Sequence, residues 1–273
     1  MLGALDSVGA QTRAPAQIIV VDDASTDDTA EAVAAWIERS PLPCRLITLP
    51  ARGGPGNARN VGLAACEADV IAFFDSDDLW PPDFLERTTD ALGDAVAVTT
   101  NIQVETAGED PRLRAMDGPM LEEIFHDAGI GSATLLSSAA VRAENGYDVS
   151  LPTGQDAELF LRLWRRGRWH HAPGAFTIKR QGHADADEAG HIRDDHADAQ
   201  RRWAEIYEKF LRAEKTSRSA CEQILTRRWF VAGRDLDQLG RTADARDCYR
   251  KALAWRPGWL RARTALLRTY LPF

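Results

Sequence analysis

Two short apolar runs in this chain each stop on a cluster of carboxylates, and that pairing restricts what the chain can fold into. Ile18-Ile19-Val20-Val21 gives way to Asp22-Asp23, and Val70-Ile71-Ala72-Phe73-Phe74 gives way to Asp75-Ser76-Asp77-Asp78. Apolar runs without polar alternation predict strands buried on both faces, as in a sheet covered by helices. Helical patterns separate them. Ser25 is placed to cap a helix with Asp27 and Asp28 at its positive end and Ala30, Val33, Ala34 and Ile37 as its inward stripe. The turn Gly53-Gly54-Pro55-Gly56 leads into a helix carrying Asn57, Arg59 and Asn60, and Pro81-Pro82 introduces another that runs to Leu92. Arg45 to Leu49 and Ala95 to Thr100 read as further strands, and residues 105 to 119 as a loop. The alternation predicts an α/β fold, a mostly parallel sheet with helices on both faces. Ligands of such sheets bind outside the carboxyl ends of the strands, so both acidic clusters should face one crevice.

Composition removes several function classes. A formal net charge of -8 over 273 residues opposes binding along a nucleic-acid backbone, which requires clustered positive charge. No run of about 18 apolar residues is present, and the first residues lack the basic and apolar regions of a signal peptide. The expected location is cytoplasmic, free or at a membrane surface. The four cysteines are widely spaced, which indicates neither a zinc site nor a disulfide framework.

Asp75, Asp77 and Asp78 on one tight turn offer hard oxygen ligands close together, suited to Mn²⁺ or Mg²⁺ held jointly with a diphosphate. A helix starting near Gln155 buries Leu159, Phe160, Leu163 and Trp164, stops at Gly167, and carries Asp156 at its amino end. Asp at that position also suits capping of the helix.

Val20 to Thr29, the Gly53 to Gly62 segment with Ala58-Arg59-Asn60, and Phe73 to Asp78 together resemble successive motifs of glycosyltransferase family 2, which has the GT-A fold. Gly131-Ser132-Ala133, Gly146-Tyr147-Asp148 and Gly154 to Leu159 resemble its acceptor-side motifs, and the likeness extends over about residues 1 to 185. The resemblance implies that Asp23 bonds the nucleotide base, Asp75 faces the ribose, and Asp77 holds the metal with Asp78. It also implies that Arg59 and Asn60 border the nucleotide pocket and that Asp156 is the base of an inverting transfer. His183 resembles the late histidine that completes the metal or diphosphate site; with His191 and His196 nearby it also reads as a solvent-exposed residue. Gln155 stands where the family usually has Glu. The family also opens with a buried strand ahead of the helix with which this chain begins. That departure leaves a central sheet position unfilled and a strand edge open.

Beyond a GT-A domain at 1–190, residues 191–273 read as a helical tail. Within it, 226–259 fits one tetratricopeptide-like repeat: Trp229, Ala232, Gly233 and Leu236, then Ala245, Tyr249, Ala252 and Pro257. One repeat cannot bury its apolar face alone, so it must lean on neighbouring helices, on the body, on a protein partner or on a second copy. The expected activity is transfer of a sugar from a nucleotide diphosphate sugar, UDP-linked by preference, to a saccharide, lipid-linked or other small hydroxyl acceptor. The alternative is a degenerate, non-catalytic nucleotide-binding or scaffold protein acting through its tail.

Overall fold

The computed structural model describes residues 1–106, 108–115, 128–181, 189–214 and 218–270, with backbone alone for 128–130, 181, 189–195 and 218–221. The chain divides into two compact units, Met1–His183 and Ala184–Phe273.

The first unit is α/β. Helix α1 (Leu2–Gly9) precedes β1 (Ile18–Asp22), α2 (Thr29–Arg39), β2 (Cys44–Thr48), α3 (Pro55–Ala65), β3 (Val70–Ala72), the short β4 (Asp78–Leu79) and α4 (Phe84–Leu92). Then come β5 (Ala97–Thr106), β6 (Arg112–Arg114), a 3₁₀ turn (Ala128–Ala133), β7 (Thr134–Ser137), α5 (Ser138–Ala143), α6 (Gln155–Trp164) and β8 (Trp169–Gln181). Both acid-terminated runs form strands, the second over Val70–Ala72 only, with Phe73 and Phe74 leading from it to Asp75.

Pairing is mixed rather than uniformly parallel. β1 and β2 form a parallel two-stranded sheet, and β5 pairs β8 in parallel. The remaining ladders, β3–β7, β5–β7, β5–β6 and β4–β8, are antiparallel. The larger sheet runs β3-β7-β5-β8-β4, with β6 on β5. Each antiparallel ladder involves a strand from residue 97 onward, and β5 with β6 is the hairpin among them. β5 extends six residues beyond Thr100, and β6 forms inside the segment read as loop, because Arg112–Arg114 pairs back onto Ile102–Val104.

Ser25 does not cap α2. The chain turns at Ala24, whose φ is 57°, and the Ser25 amide donates to Asp22 Oδ1 at 3.2 Å. The helix therefore starts later, at Thr29. Ala34 is exposed, and Trp36 takes its place on the inward face, with its Nε1 donating to Asp6 Oδ1 at 2.8 Å. One core packs Leu5 and Val8 of α1, Ile18 and Val20 of β1, and Val33 against Trp80 and Phe84.

Among the described residues β1 pairs only with β2 and β3 only with β7. The other edges of β1 and β3 line one cavity of about 630 Å³, walled by residues of α1, α3 and α4 as well. The unfilled sheet position expected from the resemblance is thus a gap between two sheets.

The second unit is helical: α7 (Ala189–Ala213), α8 (Arg218–Gln238), α9 (Thr242–Trp255) and α10 (Leu260–Arg268). Trp229, Ala232 and Leu236 of α8 and Ala245, Tyr249 and Ala252 of α9 are buried, forming an antiparallel hairpin around the turn at Gly240 (φ 72°). α7 flanks it, with Trp229 Nε1 donating to Glu208 Oε2 at 2.8 Å. Phe230 reaches Trp259, just ahead of α10, at 4.8 Å between ring centres. No helix among the described residues is long and apolar enough to cross a membrane.

The hairpin closes over Gly233, where a Cβ would lie 2.7 Å from the Tyr249 ring and 3.2 Å from the Ala245 carbonyl oxygen. Gly233→Ala should therefore destabilise the tail by about 1–2 kcal/mol, overpacking outweighing the helix-propensity gain. Thermal unfolding followed by circular dichroism checks this, and Gly258→Ala, with open space around it, serves as control.

Candidate active site

Helix α3 organises the site. Its approach, Gly53-Gly54, donates two backbone amides to Asp23, at 2.7 Å to Oδ1 and 2.8 Å to Oδ2. Glycine is required at both positions. A Cβ on Gly53 would lie 2.3 Å from Asn57, and Gly54 has a φ of 82°. The end of β1 is thereby tied to the start of α3, and the Asp23 carboxylate is engaged by the backbone rather than standing free.

One turn further, Arg59 Nη2 meets Asp75 Oδ1 at 2.7 Å, and its Nη1 faces Asp156 Oδ1 at 3.4 Å. The guanidinium also lies 5.3 Å from the centre of the Tyr147 ring. Burial on its own disfavours the Arg59 charge, but Asp156, Tyr147 and Asp75 outweigh it and raise its pKa. Asn60 binds backbone. Its Nδ2 donates to the Tyr147 carbonyl at 2.9 Å and its Oδ1 accepts the Tyr147 amide at 2.8 Å. It clamps Gly146-Tyr147, where Gly146 has a φ of 68° and a Cβ would lie 2.3 Å from Asn60 Oδ1.

The acidic turn after β3 is fixed by aromatic stacking. Phe74, Trp80 and Phe84 form a continuous stack at 4.1 and 4.2 Å between ring centres, and Trp80 Nε1 donates to the Ser132 carbonyl at 2.8 Å. Ser132 Oγ accepts the Asp75 amide at 3.0 Å. Among the described residues, Asp75, Asp77 and Asp78 present carboxylate oxygens within 4.8 Å of one another, Asp77 exposed and Asp78 buried. This set of hard oxygens fits a divalent cation. Lys179 of β8 pairs with Asp78 across the β4–β8 ladder, Nζ lying 3.0 Å from Asp78 Oδ2 and 4.0 Å from Asp75 Oδ2. Burial pushes the Asp78 carboxyl up, while Lys179 and the Ser132 hydroxyl oppose that shift.

Asp156 lies in the first turn of α6, after Gly154 with its φ of 80°. Its Oδ1 is buried without a hydrogen bond. Burial raises its pKa, and Asp75 adds to the shift; Arg59, Tyr147 and Lys179 counter it. Gln155 is structural: its Nε2 donates to the Leu151 carbonyl, and the side chain is buried.

Arg59, Asp75, Asp77, Asp78 and Asp156 thus meet in one cluster. Asp23 and Asn60 hold the surrounding backbone, and His183 lies outside the described residues. Sequence reasoning missed Lys179 and Ser132 as members. Ser132 carried a signal through its motif, whereas Lys179 became visible only through the strand pairing.

The family model for glycosyl transferase family 2 matches residues 1–151. The chain belongs to glycosyltransferase family 2. An uncharacterized glycosyltransferase of Nostoc is 35% identical over 124 residues, 44% of this chain and 38% of that one. The succinoglycan biosynthesis protein ExoO of Rhizobium meliloti is 40% identical over 114 residues, 40% of this chain and 32% of that one. The matched stretch spans about a third of the length of these relatives. Staphylococcus aureus TarS, solved with UDP-GlcNAc, superposes with a TM-score of 0.67 at 19% identity, over 98% of this chain and 84% of that one. The fold is GT-A.

Asn60→Ala should leave the buried Tyr147 amide and carbonyl unpaired and lower stability by about 2–3 kcal/mol. Asn60→Asp keeps the acceptor but loses the donor and should cost less than Asn60→Ala. Urea unfolding of both variants checks the order.

Proposed function

We propose that this chain transfers a sugar from a nucleotide diphosphate sugar, UDP-linked by preference, to a hydroxyl acceptor with inversion at the anomeric carbon. The reading rests on one observation: Arg59 joins Asp75, of the carboxylate turn, to Asp156. A diphosphate-holding group and a buried base thereby share one crevice. TarS, a structural neighbour, is solved with UDP-GlcNAc, and ExoO is a succinoglycan biosynthesis protein; both accord with a nucleotide-sugar donor and a saccharide acceptor.

In this reading Asp75, Asp77 and Asp78 hold Mn²⁺ or Mg²⁺, which when bound offsets the charge on the departing diphosphate. Lys179 and Arg59 add fixed positive charge beside it. Asp156 receives the proton of the acceptor hydroxyl through Oδ1 as the acceptor oxygen bonds the anomeric carbon and the bond to the diphosphate breaks. Tyr147 and Arg59 keep that carboxylate aimed. Asp23 and Asn60 shape the nucleotide side by fixing the Gly53-Gly54 and Gly146-Tyr147 segments, and His183 is assigned to completing the metal or diphosphate end. The tail supplies a partner or self-association surface. Its motif, like a tetratricopeptide repeat, and the exposed Leu260, Leu267 and Tyr270 support that assignment.

Asp77→Ala should abolish metal-dependent donor hydrolysis and transfer. Persistence of both at the parent rate contradicts the reading.

The general base must be ionised to act, and burial raises the Asp156 pKa. The acidic limb of kcat/KM should therefore lie above the ordinary carboxylate range, with activity rising as pH rises through it. The sign for stability is opposite. The folded chain holds this proton more tightly than the unfolded chain, so the Asp156 contribution falls over the same rise in pH. Asp156→Asn should lower kcat by at least about 100-fold while KM for the donor stays within about twofold.

A further inference from the structure

Charge is placed unevenly along this chain. Seven arginines or lysines and a single acid, Asp247, lie between Arg246 and Tyr270, in a chain whose formal net charge is -8. That stretch covers most of α9 and all of α10. Its one acid is already engaged, with Asp247 Oδ2 lying 3.0 Å from Lys251 Nζ.

Helix α10 packs on α9 through one side only. Ala262 and Thr269 are buried, whereas Leu260 is 73% exposed, Leu267 65% and Tyr270 50%. At about 100° per residue, Leu260 and Leu267 fall within about 20° of each other and about 10 Å apart along the axis, with exposed Thr264 between them. Arg263 and Tyr270 lie on one flank of that ridge and Arg261 and Arg268 on the other, all exposed. Among the described residues these three arginines form no ion pair with a carboxylate. Arg263 Nε donates to the Pro257 carbonyl at 2.7 Å, and Arg261 lies 5.7 Å from the centre of the Phe230 ring. Tyr270 is held at the rim by two more cations: the Arg246 guanidinium is 4.2 Å from its ring centre, and Arg250 Nη2 donates to its hydroxyl.

This rim of cations selects what can cover the leucines. A second copy placed on the ridge would bring like charges face to face. An anionic lipid surface suits both parts at once. Leucines enter the boundary of the acyl chains, arginines lay their stems beside them and reach the phosphates, and a tyrosine ring sits at headgroup level.

We propose that the α10 face of Leu260, Leu267 and Tyr270, rimmed by Arg261, Arg263 and Arg268, docks onto an anionic lipid surface with the helix lying in the headgroup plane. The inference rests on the assignment of the tail as a partner surface, and it names that partner as lipid. At nine residues, α10 lies on a bilayer rather than across it.

The test sediments the full chain with vesicles of phosphatidylcholine containing about 30% phosphatidylglycerol, and with phosphatidylcholine alone, at about 0.1 M salt. The anionic vesicles should bind it, and binding should fall at least about tenfold on phosphatidylcholine alone or at about 1 M salt. Each cation near such a surface contributes about fivefold, so Arg261→Gln/Arg263→Gln/Arg268→Gln should lose about 100-fold, while the corresponding triple Lys variant keeps binding. Leu260→Ser/Leu267→Ser should lose about tenfold or more. All five side chains are exposed, so an unchanged Tm in each variant separates lost binding from lost folding. Equal binding to both kinds of vesicle, or unchanged binding in the triple Gln variant, overturns the proposal. So does binding of soluble polyglutamate as tight as that of vesicles and indifferent to Leu260→Ser/Leu267→Ser, which would point to an acidic protein. A dimeric mass that Leu260→Ser/Leu267→Ser abolishes, without vesicle binding, overturns the lipid and keeps the partner surface. A monomer that binds neither vesicles nor polyglutamate overturns both.

Discussion

A single guanidinium holds the crevice together. Asp75 arrives from the end of a strand and Asp156 from the start of a helix about eighty positions later, and two carboxylates brought near each other in a sheltered site repel unless a cation stands between them. Arg59 is that cation, 2.7 Å from one and 3.4 Å from the other. Its own position is not left to one contact. Two amides ahead of α3 grip Asp23, and the next residue, Asn60, grips the backbone of Tyr147, against whose ring Arg59 also lies. The approach to α3 and two adjacent residues of that helix thus fasten the end of β1, the acid after β3 and the Gly146-Tyr147 segment.

The same arrangement explains why the two strand ends stay aligned although their sheets share no ladder. Parallel strands are ordinarily kept in register by their ladder. Here β1 and β3 belong to different sheets, and α3 supplies the alignment through side chains. On the other side of the acidic turn, the Phe74–Trp80–Phe84 stack and the Lys179–Asp78 pair fix it to the larger sheet. The carboxylate turn is thus held from both sides, which is the preorganisation that electrostatic catalysis depends on.

Much of this was readable in the sequence because it rests on local pattern. Apolar runs that stop on Asp locate strand ends, and glycines at Gly53 and Gly54 mark a turn into a helix. What stayed hidden is non-local. Asn60 is a polar residue on a helix like many others until Tyr147, 87 positions away, presents its backbone. Lys179 joins the site only because β8 pairs antiparallel with β4. The start of α2 shifted because Ala24 adopts a left-handed turn, a conformation for which alanine gives no signal. Asp23 reads in sequence as a ligand for a base or as the start of a turn, and its hold on the Gly53 and Gly54 amides, about thirty positions on, is visible only in the fold.

The central claim is that the carboxylate turn and Arg59 together form a metal and nucleoside-diphosphate crevice. Calorimetric titration of the full chain with UDP, with and without Mn²⁺, tests it directly. The account predicts saturable one-to-one binding that requires the metal and is lost in folded Arg59→Met. Binding of equal strength without metal, or unchanged in that variant, would contradict it.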